Sequence, residues 1–203
     1  MHDHARSVLL ACPTIELEAG KPHFANEHPS DAVLLVEEGF VVVRSTVAAA
    51  QRSVVSCEAG AGKLLLPPSP DQVLVGLVDS RLTVIDADAR RRLVAVPALA
   101  EWLVEQLAAA LRQKEDATAN FAATRHVDRV QRKLLQLGET YGHVVHDGVR
   151  IDFPVSHALL AEMIGSSRET VTRAIDELQR AGFVARHGST YRLLVTPEAV
   201  AGA

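Results

Sequence analysis

Aromatic residues are scarce in this chain of 203 residues: one Trp, two Tyr and five Phe, or 4%. A core must therefore come from Leu, Val, Ile and Ala, and the 48% hydrophobic content supplies them. Cysteine is scarcer still. Cys12 and Cys57 match no zinc spacing and form no Cys-x-x-Cys pair, and two thiols cannot supply the four ligands of an iron–sulfur cluster. Two free thiols in a reducing compartment are expected, with no resident metal or cofactor. His2, His4, His23 and His28 show no helical or tight-turn spacing that would gather them around an ion. No apolar run approaches the roughly 18 residues of a membrane helix. The opening Met1-His2-Asp3-His4 lacks the basic and apolar regions of a secretory leader, so the expected location is the cytoplasm, with no membrane partner. There is no Ser/His/Asp order, phosphate loop or His-Glu-x-x-His, so no catalytic residue is nominated and an enzyme is not expected.

Excess positive charge is also missing. The net charge is −4, which by itself argues against a nucleic-acid partner. The average hides a split. Residues 1–124 hold 11 Lys and Arg against 16 Asp and Glu, a net of −5, whereas residues 125–203 hold 10 against 9, a net of +1. A weakly basic end can bind DNA if its Arg residues are focused on one surface.

What is present falls into three stretches. Residues 1–95 read as strands. Ala32–Val36 and Phe40–Val43 flank Glu38-Gly39, a hairpin signal, and Gln72–Val78 and Arg81–Ile85 repeat it around Asp79-Ser80. Ala19–Pro22, Glu58–Gly62 and Pro67–Pro70 punctuate the gaps, and the density suggests an all-β barrel or roll. Residues 96–124 read as one long helix with Pro97 at its first position. Val96, Leu103, Ala110 and Ala117 recur every seven places, with Ala100, Leu107, Lys114 and Phe121 four places on. That seam predicts self-association through Val96, Leu103, Leu107, Ala110 and Phe121, because roughly 25 residues at 1.5 Å each outlast what a small barrel covers.

Residues 125–203 hold a helix from His126 to about Tyr141, a loop over 142–148, and an alternating stretch at Val149–Val155. Then come two helices about a short turn containing Gly165, the outline of a helix-turn-helix. Ser156 can cap the first helix, and Ser166 or Ser167 the second. At 100° per residue, Val171, Ala174, Ile175 and Leu178 fall on one side of the second helix, while Arg168, Glu169, Thr172, Arg173 and Asp176 fall on the other. The first two turns of such a helix reach base edges in the major groove. Arg bonds guanine O6 and N7, and Glu accepts from cytosine N4. Arg168, Glu169 and Arg173 are therefore the expected base readers of double-stranded DNA. Ser166-x-x-Glu169 also has the form of a capping box, so Glu169 is expected to cap its helix as well. Thr170 lies off the reading arc and suits a phosphate. Phe183–Arg186 and Tyr191–Val195 flank His187-Gly188-Ser189, a β-hairpin wing whose tip can meet phosphates.

This order of parts resembles the cyclic-AMP receptor protein and fumarate-nitrate regulator (Crp/Fnr) family over nearly the whole chain. Gly165-Ser166-Ser167-Arg168-Glu169-Thr170-Val171-Thr172-Arg173 is similar to the family's recognition-helix signature. The resemblance implies an α+β chain: an N-terminal cyclic-nucleotide-binding-like β-roll, a long dimerisation helix and a C-terminal winged helix-turn-helix. It implies a homodimer on a palindrome with TGTGA-like half-sites. Arg168, Glu169 and Arg173 match the base readers. Thr170 and His187-Gly188 match phosphate contacts, and Ser167 and His157 are expected to join them. His146-Asp147-Gly148 sits where relatives that activate transcription touch RNA polymerase.

The departures lie in the sensor domain. Relatives hold the cyclic phosphate with a Gly-Glu pair and a following Arg-Ser, but Gly62–Val73 here contains neither. Relatives also place Thr-Ser on the dimer helix, where this chain has Lys114-Glu115. An activator independent of cyclic nucleotide is the expectation. The alternatives are gating by another small ligand, haem or a redox signal, or repression at the same type of site.

Overall fold

The computed structural model describes residues 3–24, 27, 29, 31–47, 52–122 and 125–195. The chain divides into two compact units: Met1–Gln51 with Val55–Glu115, and Arg52–Val54 with Asp116–Ala203.

The first unit opens with a helix absent from the sequence reading, α1 (Asp3–Leu10), and then builds two four-stranded antiparallel sheets. One has the order β1 (Thr14–Leu17), β8 (Ser80–Ile85), β3 (Val33–Glu38), β6 (Leu64–Leu65). The other runs β2 (Pro22–Phe24), β7 (Gln72–Gly76), β4 (Phe40–Val47), β5 (Arg52–Gly60). β3 shows how the layers are stacked. Leu34 and Val36 point into the cluster between the sheets with Val41, Val43, Leu74 and Leu82. Val33 and Leu35 point the other way, into a cluster with Val8, Leu9, Ile85, Leu93, Leu99 and Leu103. A strand covered on both faces has no polar alternation, hence the run Val33-Leu34-Leu35-Val36.

Both expected hairpins are overturned. β3 and β4 lie in different sheets, as do β7 and β8. Gly39 makes the first corner at φ +89°, where a side chain would collide with Ser80. Ser80 ties the two corners together: its hydroxyl donates to the Val78 carbonyl at 2.7 Å and accepts from Phe40 N–H at 3.2 Å. Short runs around Glu-Gly or Asp-Ser reveal a reversal of direction, but not whether the chain returns to the same sheet.

The reading of residues 1–95 as strands also missed α2 (Ala87–Val94). Asp86 caps it, accepting from Ala89 N–H at 2.8 Å. α3 (Pro97–Ala122) starts at the expected proline. The side chains of Lys114 and of residues 116–122, Phe121 included, lie outside the described residues. No single helix among the described residues is long and apolar enough to cross a membrane.

The second unit holds α4 (His126–Tyr141), matching its expected span, and a four-stranded antiparallel sheet in the order β11 (Val184–His187), β12 (Thr190–Leu193), β10 (Gly148–Ile151), β9 (His143–Val145). Residues 142–148 are therefore no plain loop. They form strand β9, a tight turn at His146-Asp147 and the start of β10, whose register pairs Gly148 with Val145. α5 (His157–Ile164) and α6 (Arg168–Arg180) lie between β10 and β11 in sequence.

Candidate nucleic-acid interface

α5 begins at Ser156, whose hydroxyl accepts from Leu159 N–H at 3.0 Å. It ends at Gly165 in the left-handed conformation, φ +61° and ψ +43°, where a side chain would be strained. Leu159, Leu160, Ala161, Met163 and Ile164 of α5 are buried, and α6 sets Val171, Ala174, Ile175 and Leu178 into the core of the same unit. That burial fixes the rotation of α6. Arg168, Glu169, Arg173 and Asp176 are left exposed, and Thr172 is half-buried.

The N-terminus of α6 resolves the choice of cap. Ser167 is the cap: its Oγ accepts from Thr170 N–H at 3.2 Å and lies 2.9 Å from Thr170 Oγ1. The Ser166 hydroxyl instead lies 3.2 Å from His126 Nδ1. The capping box from Ser166 to Glu169 is thus corrected, because Ser166 is one residue too early to face the free N–H groups. The Glu169 carboxyl nonetheless sits below the usual carboxylate range. It bonds its own backbone N–H and the Ser167 hydroxyl, and Arg168 and Arg173 add positive charge beside it. The carboxylate is exposed, negative and at a helix N-terminus, where the macrodipole favours it.

Six of the Arg residues of this unit fall into two groups. Arg125, Arg150 and Arg192 are committed to Glu177, Asp152 and Asp147. Arg168, Arg173 and Arg186 form no ion pair among the described residues; Arg173 only rests its Nε 3.4 Å from the Glu169 carbonyl, one turn back. Arg168 and Arg173 thus leave two guanidiniums without an ion pair on the exposed face of α6, a charge arrangement that suits DNA.

The expected phosphate contacts fare unequally. Ser167 and Thr170 spend their hydroxyls on the cap. His157 is turned inward, a correction to its expected role: Nδ1 bonds Thr172 Oγ1 at 2.8 Å and Nε2 is covered, with no partner among the described residues. Its pKa is lowered by burial first and then by Arg186 and Arg168, with Asp176 opposing. His187 is exposed on the wing. Its Nε2 lies 3.3 Å from Arg192 Nη2, a donor, so Nε2 accepts and the ring proton of the neutral form sits on Nδ1. Gly188 follows at φ +62° with open space around it. Asp147, in the turn expected to meet RNA polymerase, accepts from Arg192 Nη1 at 2.8 Å. His146 is exposed, and Gly148 holds φ +135°, where a side chain would strike the Leu193 carbonyl.

The expected dimer seam is redistributed. Leu103 is 6% exposed and belongs to the first unit's own core, with Val96 packed against it. Both are corrected: they cover the outer face of the β3 sheet. The apolar side chains that α3 leaves uncovered are Val104 at 66%, Leu107 at 47% and Leu111 at 59%. Ala110 is half-buried and, with Leu107 and Leu111, lines a cavity of about 370 Å³ inside the first unit. Its other walls include Val33, Leu64, Leu66, Ser56, Cys57 and Gln72, and no Lys, Arg, Asp or Glu lines it among the described residues. Cys12 is a core thiol, donating to the Val8 carbonyl at 3.3 Å, and burial raises its pKa. Neither thiol forms a disulfide among the described residues.

Residues 128–199 match the Crp-like helix-turn-helix domain family. A CRP-like cAMP-activated global transcriptional regulator of Mycobacterium tuberculosis is 24% identical over 182 residues, covering 87% of this chain and 81% of that protein. A global nitrogen regulator of Synechococcus elongatus is 33% identical over 98 residues, 48% of this chain and 44% of that protein. Among solved structures, a CRP-family transcriptional regulator of Thermus thermophilus superposes with a TM-score of 0.69 at 19% identity, over 93% of this chain and 97% of that one. These likenesses assign a Crp-like helix-turn-helix domain to residues 128–199, and the winged helix-turn-helix and double-sheet first unit described above share the fold of solved CRP/FNR-family regulators.

Proposed function

We propose that the protein is a homodimeric, sequence-specific activator that reads a palindrome of TGTGA-like half-sites and needs no cyclic nucleotide to do so. The observation that carries the reading is the outward face of α6, where Arg168, Glu169 and Arg173 stand exposed on a helix whose other face is locked in the core. Arg168 and Arg173 suit guanines and Glu169 a cytosine. The wing tip, through His187 Nδ1–H and the backbone at Gly188, suits a flanking phosphate. Pairing of two copies runs along Val104, Leu107 and Leu111 with the continuation of α3, and sets two such faces on the two half-sites. The turn at His146-Asp147-Gly148 is the surface offered to RNA polymerase.

Independence from cyclic nucleotide rests on the cavity. A bound cyclic phosphate keeps its negative charge, and burying that charge without a cationic partner is costly. The cavity walls offer Ser56, Cys57, Ser69 and Gln72 but no cation among the described residues. The Mycobacterium tuberculosis relative is named as cAMP-activated, and the uncharged lining here supports a different behaviour for this chain. The same walls favour a second reading, gating by an uncharged and largely apolar molecule. Fluorescence anisotropy of a labelled palindromic duplex, titrated with the purified protein with and without cyclic AMP, tests the proposal. Superimposable curves are expected; a gain of about tenfold or more with nucleotide would overturn it.

A further inference from the structure

Arg192 lies in β12, an inner strand of the second unit's sheet. The wing tip lies beside the start of that strand, where His187 pairs with Thr190, and the 146–148 turn lies beside its end, with Gly148 against the Leu193 carbonyl. Strand residues alternate between faces. Tyr191 at 1% and Leu193 at 0% exposure are locked in the core, so Arg192 is turned to the opposite face. Its guanidinium serves both ends of β12 as a fork. Nη1 donates to Asp147 in the turn, 3.1 Å from Oδ1 and 2.8 Å from Oδ2. Nη2 donates to His187 Nε2 at the wing tip, at 3.3 Å. The placement has a cost, because Arg150 stands directly opposite on β10 and like charges across a strand pair are unfavourable. Each arginine is matched with a carboxylate of its own, Arg150 with Asp152 and Arg192 with Asp147.

An arginine only donates, and the hydrogen bond made at one ring nitrogen of a histidine decides which nitrogen keeps the proton. Arg192 thereby selects the Nδ1–H tautomer of His187, against the ordinary preference of a neutral histidine side chain for Nε2–H. On the reading of the wing tip as a phosphate contact, we propose that Arg192 is its positioning residue and a strap between two surfaces. It presents His187 to a phosphate as the Nδ1–H tautomer, and it makes the 146–148 turn responsive to DNA held at the wing. A phosphate oxygen accepting from Nδ1–H polarises the ring and makes Nε2 the stronger acceptor. Nη2 is then drawn toward the wing. The guanidinium is one rigid plane, so its Nη1 edge shifts against Asp147 at the same time. The turn proposed to meet a protein partner thus presents a different surface on DNA and off it.

Nitrogen-15 spectra of the full chain with labelled histidine read the tautomer directly, the His187 signals being identified by their loss in His187→Gln. At about pH 7.5 the wild type should carry the His187 proton on Nδ1. Arg192→Leu should move it predominantly to Nε2, whereas Asp147→Asn, which keeps the donor at Nε2, should leave it on Nδ1. A duplex of arbitrary sequence serves for the second half of the test, because a phosphate contact carries no sequence information. On adding it, the amide signals of Gly188 and of Asp147 and Gly148 should shift together in the wild type. In Arg192→Leu only Gly188 should shift, and the duplex should bind about threefold or more weakly, the worth of one hydrogen bond at each wing. A wild-type His187 with its proton on Nε2, an Arg192→Leu protein that keeps it on Nδ1, or a turn that responds to DNA equally in both proteins would overturn the proposal. If Arg192→Leu fails to fold, the wild-type tautomer and the wild-type response of the turn still decide it. A duplex that leaves Gly188 unmoved in the wild type would instead overturn the reading of the wing as a phosphate contact.

Discussion

Leu103 and Leu107 lie one helical turn apart but differ in burial, and the proposed dimer uses only Leu107. Leu103 is 6% exposed, in the core with Val33, Leu35 and Leu93, whereas Leu107 is 47% exposed. Truncating a buried Leu to Ala costs about 2–5 kcal/mol. Leu103→Ala should therefore lower the melting temperature of the first unit by roughly 10 °C or more, at about 4–8 °C per kcal/mol for a domain of this size. The dimer should survive below the transition. Leu107 has about half of its burial still to gain. With Val104 and Leu111, six side chains of a dimer hold on the order of 5–10 kcal/mol of unspent apolar burial, at about 1.5–3 kcal/mol for a whole side chain. That is comparable with the cost of associating two chains. Leu107→Glu removes two of the six contributions and adds two carboxylates to be desolvated, so the dissociation constant should rise at least about tenfold. Its melting temperature as a monomer should barely move, because an exposed substitution is worth about 0.5 kcal/mol or less. Sedimentation velocity and thermal unfolding on both variants decide the matter. A Leu107→Glu protein that sediments as the wild type does, or a Leu103→Ala protein that dissociates without losing stability, would refute the assignment.

Arg168→Ala should cost about 1–3 kcal/mol on the preferred duplex and relax preference at one guanine per half-site; an equal loss on random DNA would reduce Arg168 to a phosphate contact. Ser167→Ala should destabilise the second unit by about 0.5–2 kcal/mol in denaturant titrations, and Ser166→Ala by much less, because only Ser167 bonds the α6 N-terminus. Equal costs would contradict the cap. His157 has its pKa lowered by folding, chiefly by burial. The unfolded chain therefore binds the proton more readily, so the contribution of His157 to stability is complete above about pH 6.5 and is lost as pH falls below it toward the folded value. Thermal unfolding of His157→Asn should lack this component; pH profiles of the same shape in both proteins would refute it.

The reading head was legible because its signals are local and mutually consistent. Ser156, Gly165 and a serine before Arg168 mark the helix ends, and the 3.6-residue period of Val171, Ala174, Ile175 and Leu178 sets the face. The first unit was legible only as β-structure. Its strand pairing depends on contacts distant in sequence, such as Thr14 with Thr83, which no short window contains. The helices α1 and α2 hid for different reasons: α1 lies in a polar opening segment, whereas α2 announced itself only through Asp86 before a short Arg-rich stretch. The seam failed at Leu103 because α3 is apolar around much of its circumference. A heptad count finds a stripe but not which neighbour covers it. The inward turn of His157 was invisible because it depends on one hydrogen bond to a residue fifteen positions away.

The central claim is that the face of α6 reads sequence. Its most direct test is the affinity of the purified protein for its preferred palindrome against a scrambled duplex of equal length, at physiological salt. Tighter binding to the palindrome by about 10³-fold or more is expected. Equal affinity for the two duplexes would contradict it.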